Sequence, residues 1–427
     1  MTDKVQCRRF VPRLGKRAAS AAYGFVMILL TVVSATWPAQ AQTFTVLYQF
    51  NGSDGSHPIA GLLLDGSGNL YGDTSVGGAS TFGTVFKVNQ TGDEVVLLSF
   101  DVNDGAFPSS SLIMDKDGSL YSTALEGPGG AGVLFKLSSS GKETILHNFE
   151  GGIGTKDPKV PESGLVMDGA GNLYGTTISG GDSSCATQGT SYCGTVFRLA
   201  KNRKLTVLHS FTGGADGAAP YGSLLMDKAG NLYGTTYVGG DLSCKLQGEN
   251  GCGVVFKLDP SGKETVLHTF TGKADGAFPI GGGVSLVADA AGNLYGAAAY
   301  AGAFGGQCGI YGCGTVFKVD KNGKFSVLHT FSKDGTEGET PNGALALDPA
   351  GNVYGTTQTG GAFGNYGTIF KVSKTGKLTV LHSFNGGSDG ANPFSGLIRD
   401  SAGNLYGTTY QQFTFFHQGG TVFKVTP

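Results

Sequence analysis

The chain has 427 residues, of which 74 are glycine, 40% are hydrophobic and 15% are charged, and its formal net charge is -2. This apolar content is enough for a buried core, and the low charge excludes a largely disordered chain. The glycines have no three-residue period, which excludes collagen, and the slightly negative charge argues against a nucleic-acid partner.

The first predicted segment is an export signal over residues 1–41. Basic residues between Lys4 and Arg17 precede an uncharged apolar stretch centred on residues 25–30. Ala39-Gln40-Ala41 then matches a cleavage site, which predicts a mature chain that begins at Gln42 and is secreted, periplasmic or on the cell surface. Cleavage would leave no stable membrane insertion. The alternative is an uncleaved anchor, since the apolar stretch approaches bilayer-spanning length.

A repeated unit follows, and it occurs seven times. Its first phrase reads Gly-Asn-Leu-Tyr-Gly-Thr-Thr, as at residues 230–236, and its second reads Gly-Thr-Val-Phe-Lys-Val, as at residues 314–319. A third phrase, Thr-Val-Leu-His-Ser-Phe, stands at residues 206–211. The tyrosines of the first phrase, which lie 50 to 62 residues apart, are Tyr71, Tyr121, Tyr174, Tyr233, Tyr295, Tyr354 and Tyr406.

Each unit contains four short apolar runs, which in the unit around Tyr233 are residues 223–226, 232–236, 254–258 and 265–270. Runs of this length, bounded by Gly, Asn and Pro, are typical of β-strands joined by tight turns. Apolar residues on both faces indicate sheets that are covered on both sides. Four-stranded sheets between like neighbours are propeller blades, so the sequence predicts an all-β, seven-bladed β-propeller of antiparallel blades in one domain, residues 42–427.

The order of the phrases predicts how the ring closes. Residues 44–50 match the fourth strand of a unit, whereas residues 421–425 match the third strand. The N-terminal strand is therefore expected to complete the last blade, which leaves no free edge between the termini. The alternative is a linear solenoid, which would need capping repeats with polar outer faces.

These phrases, together with a Gly-x-Asp-Gly loop in most units, resemble the GloVer tandem repeat of secreted bacterial proteins. The resemblance covers almost the whole mature chain, and a more distant one links the strands to NHL-type propellers. It implies an exported, β-propeller-like repeat protein and does not define a biochemical role.

Six cysteines of the mature chain form three local pairs, Cys185 with Cys193, Cys244 with Cys252, and Cys308 with Cys313. Each pair lies in the loop between the second and third strands. An even count in an exported chain predicts three disulfides. Zinc is the alternative, but the loops lack CxxC spacing and histidine.

The Gly-x-Asp-Gly loops carry candidate ligand-binding carboxylates, namely Asp54, Asp104, Asp216, Asp275 and Asp389, with Glu337 in a related place. Each carboxylate either satisfies the amides of its own turn or belongs to a ring near the channel mouth that attracts a cationic ligand. The aspartates before the first turn, such as Asp227, are expected to accept turn amides. Histidines recur at one position of the fourth strand, and we expect them to pack rather than to bind metal, because equivalent residues of successive blades do not converge. They are His147, His209, His268, His329 and His382.

No catalytic motif and no cofactor or metal site is predicted. The sequence favours a monomeric, non-enzymatic exported protein that binds a glycan or a protein. The disulfide loops and the crossovers between units share one face and carry Tyr300, Tyr311, Tyr366 and Tyr410, so we expect a ligand there, near the axis. The rival is a hydrolase or lyase acting on extracellular polysaccharide through irregular acids such as Glu126 or Glu162. Charged residues at the axis that differ from one blade to the next would favour the enzyme. Small residues repeated in every blade would favour the scaffold.

Overall fold

The computed structural model describes residues 42–150, 157–181, 192–279, 286–411 and 419–426. Seven antiparallel sheets of the predicted four-stranded type follow one another in this part of the chain. They form the seven-bladed β-propeller that the repeats predict. The predicted export signal lies outside the described residues and stays a prediction.

We number the blades in chain order and count their strands outwards from the axis. The strands are, in blade 1, Leu63–Leu64, Leu70–Thr74, Thr84–Val88 and Glu94–Ser99; in blade 2, Ile113–Met114, Leu120–Glu126, Gly130–Leu137 and Glu143–Glu150; in blade 3, Val166–Met167, Leu173–Thr177, Thr195–Leu199 and Leu205–Ser210; in blade 4, Leu225–Met226, Leu232–Thr236, Val254–Leu258 and Glu264–Thr269; in blade 5, Val287–Ala288, Leu294–Ala298, Thr315–Val319 and Phe325–Thr330; in blade 6, Ala346–Leu347, Val353–Thr359, Thr368–Val372 and Leu378–Ser383; and in blade 7, Ile398–Arg399, Leu405–Thr409, Thr421–Thr426 and Thr43–Gln49.

Five further short elements lie in the connections. Ala106–Pro108 and Glu339–Pro341 pair with the second strands of blades 2 and 6. Lys245–Leu246 and Glu249–Asn250 form a small hairpin in the long loop of blade 4, and Gly306–Cys308 is a turn of 3-10 helix in that of blade 5.

The ring closes as predicted, through the N-terminal strand. Thr43–Gln49 pairs antiparallel with Thr421–Thr426, with Thr43 opposite Thr426 and Gln49 opposite Thr421. Phe44 of this strand stacks on His382 of blade 6 with ring centroids 3.8 Å apart. The closing strand is thus held by its own blade and by the neighbouring one, which rules out the linear solenoid.

A pair of phenylalanines joins each blade to the next. One comes from the end of the fourth strand and the other from the third strand of the following blade, and their rings meet edge to face. Such pairs contribute roughly 0.5–1.5 kcal/mol beyond their buried area. The ring centroids are 4.9 to 5.6 Å apart in the pairs Phe50–Phe86, Phe100–Phe135, Phe149–Phe197, Phe211–Phe256, Phe270–Phe317, Phe331–Phe370 and Phe384–Phe423.

The repeated aspartate before the first turn accepts the turn amides, as predicted. In blade 4, Asp227 accepts hydrogen bonds from the amides of Ala229 and Asn231 at 2.9 Å, and from the Tyr233 hydroxyl at 3.1 Å. Burial alone would raise the pKa of Asp227, but the hydrogen bonds from Asn231 and Tyr233 outweigh it and hold the pKa below its usual value. This network accounts for the repeated Asp before the turn and for the Asn and Tyr of the first phrase.

The crossover into each blade is clamped to the preceding blade. The residue before the crossover proline has a positive φ in every blade, and none is glycine; they are His57, Phe107, Val160, Ala219, Phe278, Thr340 and Asn392. At the entry to blade 5 the Phe278 amide donates to the Cys252 carbonyl of blade 4 at 3.0 Å, and its carbonyl accepts from Ala299 at 3.1 Å. Left-handed backbone in a bulky residue persists only where its surroundings fix it, and these paired bonds do so.

Candidate functional site

We call the side of the ring that carries the long second-to-third-strand loops and the crossovers the loop face. Loops and crossovers are bonded to each other there; for example, the Gly302 amide donates to the Lys273 carbonyl at 2.7 Å. The opposite side carries the short first-to-second and third-to-fourth turns, which hold Lys201 and Lys263.

The disulfides lie on the loop face and are confirmed where both cysteines are described. Cys244 is bonded to Cys252 and Cys308 to Cys313, with Cα atoms 5.8 and 5.0 Å apart. Cys193 is also disulfide-bonded, and its predicted partner Cys185 lies outside the described residues. Across the described ranges, no group of three or more His, Cys, Asp and Glu residues is placed to hold a metal.

The predicted carboxylates lie at the outer part of the loop face. Asp275 accepts hydrogen bonds from the Thr271 amide at 2.9 Å, the Thr271 hydroxyl at 2.6 Å and the Lys273 amide at 3.4 Å. It also contacts His268 of the outermost strand at 3.2 Å. Asp389 pairs with His382, Asp216 with His209, and Glu337 with His329, at 3.0 to 3.6 Å.

The remaining two carboxylates follow the same pattern with other partners. Asp54 accepts from the Asn51 amide and from the hydroxyl of Tyr48, which replaces the histidine. Asp104 accepts from the Asp101 amide at 2.7 Å. These carboxylates engage their own loops beside the outermost strand, so they do not form the ring near the channel mouth that one interpretation of the sequence expected. A binding role for them remains a prediction.

The histidines make packing contacts, in line with the sequence interpretation. The His268 ring stacks on Phe325 of the next blade with centroids 3.5 Å apart and meets Phe270 edge to face. Their pairing with the loop carboxylates was not predicted. The same pairing occurs in blade 7, where Tyr48 takes the place of histidine and its hydroxyl donates to Asp54 of the adjoining loop.

Small residues meet around the axis where each crossover enters the first strand. The Gly61 amide donates to the Ser111 hydroxyl of the next blade at 3.1 Å, and the Leu397 amide donates to the Ala344 carbonyl at 2.9 Å. A Cβ atom on Gly396 would lie within 2.2 Å of the Ala344 backbone. Six buried positions form this small-residue ring, Gly61, Ser111, Gly164, Ser223, Ala344 and Gly396. This is the axis that the sequence analysis associated with a scaffold.

Two positions before the small-residue ring, directly after the crossover prolines, the residue type differs from blade to blade. These residues are Ile59, Ser109, Glu162, Tyr221, Asn342 and Phe394, and the position in blade 5 lies outside the described residues. Burial raises the pKa of Glu162. Burial, and then the negative charge of Glu162 in the neighbouring blade, raise the pKa of Tyr221. Glu162 therefore lies close enough to Tyr221 to influence it, whereas Glu126 is exposed at the end of its strand.

An aromatic row runs from Tyr221 across the loop face of blades 4 and 5. Successive ring centroids are 4.7 to 6.3 Å apart along Tyr221, Tyr237, Phe278, Tyr300 and Tyr311. Burial, and then the charge of Glu249, raise the pKa of Tyr237 to about 12. Tyr311 is 42% exposed and lies inside the disulfide loop of blade 5.

Part of this row was predicted from the sequence. Tyr300 and Tyr311 were expected on the loop face, whereas Tyr221 and Tyr237 were not predicted. Tyr221 directly follows the crossover proline, and Tyr237 directly follows the Thr-Thr pair. The residue at each of these two positions varies among the seven units, and this variation was the available signal. Of the other predicted tyrosines, Tyr410 stacks on His57 with centroids 4.5 Å apart, away from the row.

A cleft on the opposite face competes for the role of ligand site. It has a volume of about 750 Å³ and lies between blades 2 and 3, lined among others by Asp115, Tyr121, Lys201 and Arg203. Two of its side chains are engaged in the fold, because Asp115 accepts hydrogen bonds from the Ser119 amide and the Tyr121 hydroxyl. The cleft offers a mixed-charge surface and contains no row of aromatic rings.

Comparison with known proteins places the chain in a family. The model of the Gloeobacter/Verrucomicrobia repeat matches residues 31–188, 186–306 and 242–427. The chain belongs to this repeat family. No curated protein matches it. In the described parts of this repeat protein, no helix has the length and apolarity needed to cross a membrane.

Several solved structures share the fold of this repeat protein. Two are structures of an extracellular domain from B. thetaiotaomicron, of a proposed one-component or hybrid two-component system, at 13% and 12% identity and TM-scores of 0.52 and 0.55. The match covers 89% of this chain and 39% of each solved chain, so the chain spans about two fifths of their length. A gluconolactonase from Xanthomonas campestris is 11% identical, with a TM-score of 0.42 over 90% of this chain and 89% of the enzyme. At these identities the likeness to the extracellular domain shows the fold alone.

Proposed function

We propose that the chain is an exported propeller that binds an extracellular glycan on the loop face without transforming it. The accessible tyrosines of the aromatic row, Tyr221, Tyr237, Tyr300 and Tyr311, carry this proposal, and buried Phe278 supports them from below. Tyrosine rings offer an apolar face for a sugar ring and a hydroxyl for its polar edge, and they lose little conformational entropy on binding.

The surroundings of the row support a preorganised site. Disulfides close the loops of blades 4 and 5 on which the row stands, and the carbonyls of Cys252 and Cys313 anchor the next crossovers. Loops fixed in this way lose less freedom when a ligand binds. Disulfides also fit an exported chain, since they persist in oxidising compartments.

The enzyme alternative rests on one observation. Glu162 is the single acid of the irregular positions that both stands near the axis and has a pKa raised by burial. A carboxyl group with a raised pKa can act as a general acid on a glycosidic bond. The small-residue ring around the axis and the structural use of the repeated acids favour binding instead.

The proposal is tested with the exported, disulfide-bonded chain of residues 42–427 against a panel of soluble oligosaccharides by isothermal titration calorimetry. Tyr311→Ala should weaken binding roughly 3- to 10-fold, the loss of one stacked ring. Phe363→Ala is the matched control, because Phe363 is 63% exposed on the loop of another blade. Binding that is unaffected by Tyr311→Ala, or no binding to any oligosaccharide, would contradict the proposal.

Two further measurements separate the alternatives. Charge reversal at Asp275 on the loop face is compared with charge reversal at Lys201 in the opposite cleft, in two separate variants. Weaker ligand binding in the Lys201 variant alone would favour the cleft. Release of reducing ends that Glu162→Gln abolishes would establish the hydrolase in place of the binding protein.

A further inference from the structure

In five blades the first threonine of the Thr-Thr position donates to a carbonyl of the next crossover, whereas blade 5 has Ala297 there. In blade 2, the Thr123 hydroxyl donates to the Pro161 carbonyl at 2.7 Å and approaches the Ser163 carbonyl at 3.4 Å. The bonds to the following proline measure 3.0, 2.8 and 3.1 Å from Thr176, Thr235 and Thr408. This position thus faces carbonyl oxygens of the next crossover, which accept a hydrogen bond wherever threonine occupies it.

Blade 1 departs from this pattern. Asp73 occupies the position of the threonine, and its side chain is 1% exposed. Neither carboxylate oxygen has a hydrogen-bond partner. Ala60 stands where blades 2, 3 and 7 have a serine that bonds the threonine, so the neighbouring hydroxyl is lost as well.

The next blade presents oxygen atoms to Asp73. By the geometry of the other blades, the Pro108 and Ser110 carbonyls are the groups that face this position. Between them, the buried hydroxyl oxygen of Ser109 has no hydrogen-bond partner either. Burial raises the pKa of Asp73 well above its usual value.

A buried carboxylate beside carbonyl oxygens needs a positive charge, because all of these atoms are acceptors. Hard oxygen ligands of this kind suit alkali and alkaline-earth cations. The site carries a single negative charge, which a monovalent ion balances. We propose that the joint between blades 1 and 2 binds a monovalent cation of the sodium type through the Asp73 carboxylate and the carbonyls of Pro108 and Ser110.

This site would act as a bridge between two blades. The cation replaces the hydrogen bond that the threonine supplies elsewhere and adds ligands from both sides of the joint. A proton on Asp73 is the competing solution, because a neutral carboxyl group can donate to one of these carbonyls as the threonine hydroxyl does in other blades. The inference is independent of the glycan site, which lies on blades 4 and 5.

The test compares thermal unfolding of the disulfide-bonded chain of residues 42–427 in sodium chloride and in tetramethylammonium chloride, both at about 0.15 M. Sodium should raise Tm by about 2 °C, the shift expected for a mostly occupied site in a chain of this size. Asp73→Thr, which restores the residue of the repeat, should abolish the difference. Asp117→Asn should keep it, since the Asp117 side chain is 73% exposed.

Several results would overturn the inference. They are equal Tm values of the wild type in both salts, a sodium effect that survives Asp73→Thr, and stabilisation by calcium chloride alone. If Asp73→Thr does not fold, Asp73→Asn takes its place, because the amide can donate to a carbonyl and carries no charge. Stability that falls with rising pH to the same extent in both salts would assign a proton, and not a cation, to Asp73.

Discussion

Gly253→Ala tests how closely the chain packs around Gly253, both within blade 4 and against blade 5. Gly253 opens the third strand of blade 4 with φ +90°, and an added Cβ atom would lie 2.2 Å from the Thr236 carbonyl oxygen and 2.8 Å from Pro279 Cδ of blade 5. Left-handed backbone costs a non-glycine residue about 1–2 kcal/mol, and overpacking costs about 1–3 kcal/mol more. We therefore expect the free energy of unfolding to fall by about 3 kcal/mol.

Gly248→Ala in the same loop is the matched control. Its φ is +84°, but an added Cβ atom would have no neighbour within 4 Å, so only the backbone strain of about 1–2 kcal/mol applies. Urea unfolding monitored by far-UV circular dichroism and tyrosine fluorescence measures both variants, with unchanged m values as the condition for comparison. Equal losses of unfolding free energy in Gly253→Ala and Gly248→Ala would show that the close contacts around Gly253 do not require glycine.

Three other perturbations address the disulfides, the ring closure and the buried acid. Replacing Cys244 and Cys252 by serine should lower the free energy of unfolding by about 2.5 kcal/mol, the loop entropy for a separation of 8 residues; an unchanged urea midpoint would contradict this. Deleting residues 42–49 should expose the edge of Thr421–Thr426 and speed hydrogen exchange of that strand at least tenfold, whereas deleting Gln42 alone should not. Without sodium, the stability of the wild type relative to Asp73→Thr should fall as pH rises above about 4, because the raised pKa means that the folded chain holds a proton that the unfolded chain releases. A difference that does not change with pH, measured by urea unfolding, would contradict the last expectation.

The fold could be predicted because the repeated residues are the ones that build it. Phe211 and Phe256 come from two different phrases of the sequence, and they meet across a blade boundary. Asp227 and Asn231 close one turn. When the same residues recur in seven units, their common role is packing or turn formation, and the order of the phrases then specifies how the ring closes.

The site was less predictable because it depends on departures from the repeat. Tyr221, Tyr237 and Asp73 stand at positions where most other units have different residues, so periodicity gives no signal for them. The backbone of the crossovers was also unpredictable. A positive φ at Phe278 runs against the preference of a bulky residue, and it arises from tertiary hydrogen bonds to blade 4 and to its own blade that the local sequence does not encode.

The closing strand has a consequence for the order of folding. Thr43 and Thr426 are partners although almost the whole described chain lies between them, so their pairing involves the largest loop-closure entropy in the molecule. The other six blades are each formed from contiguous sequence and can assemble without that loss of freedom. Blade 7 is therefore expected to form last, and the ring remains an open arc with two unpaired edges until it does. A chain of this kind passes through its most aggregation-prone stage late, when six blades are already assembled and only the pairing of the N-terminal strand with blade 7 is missing.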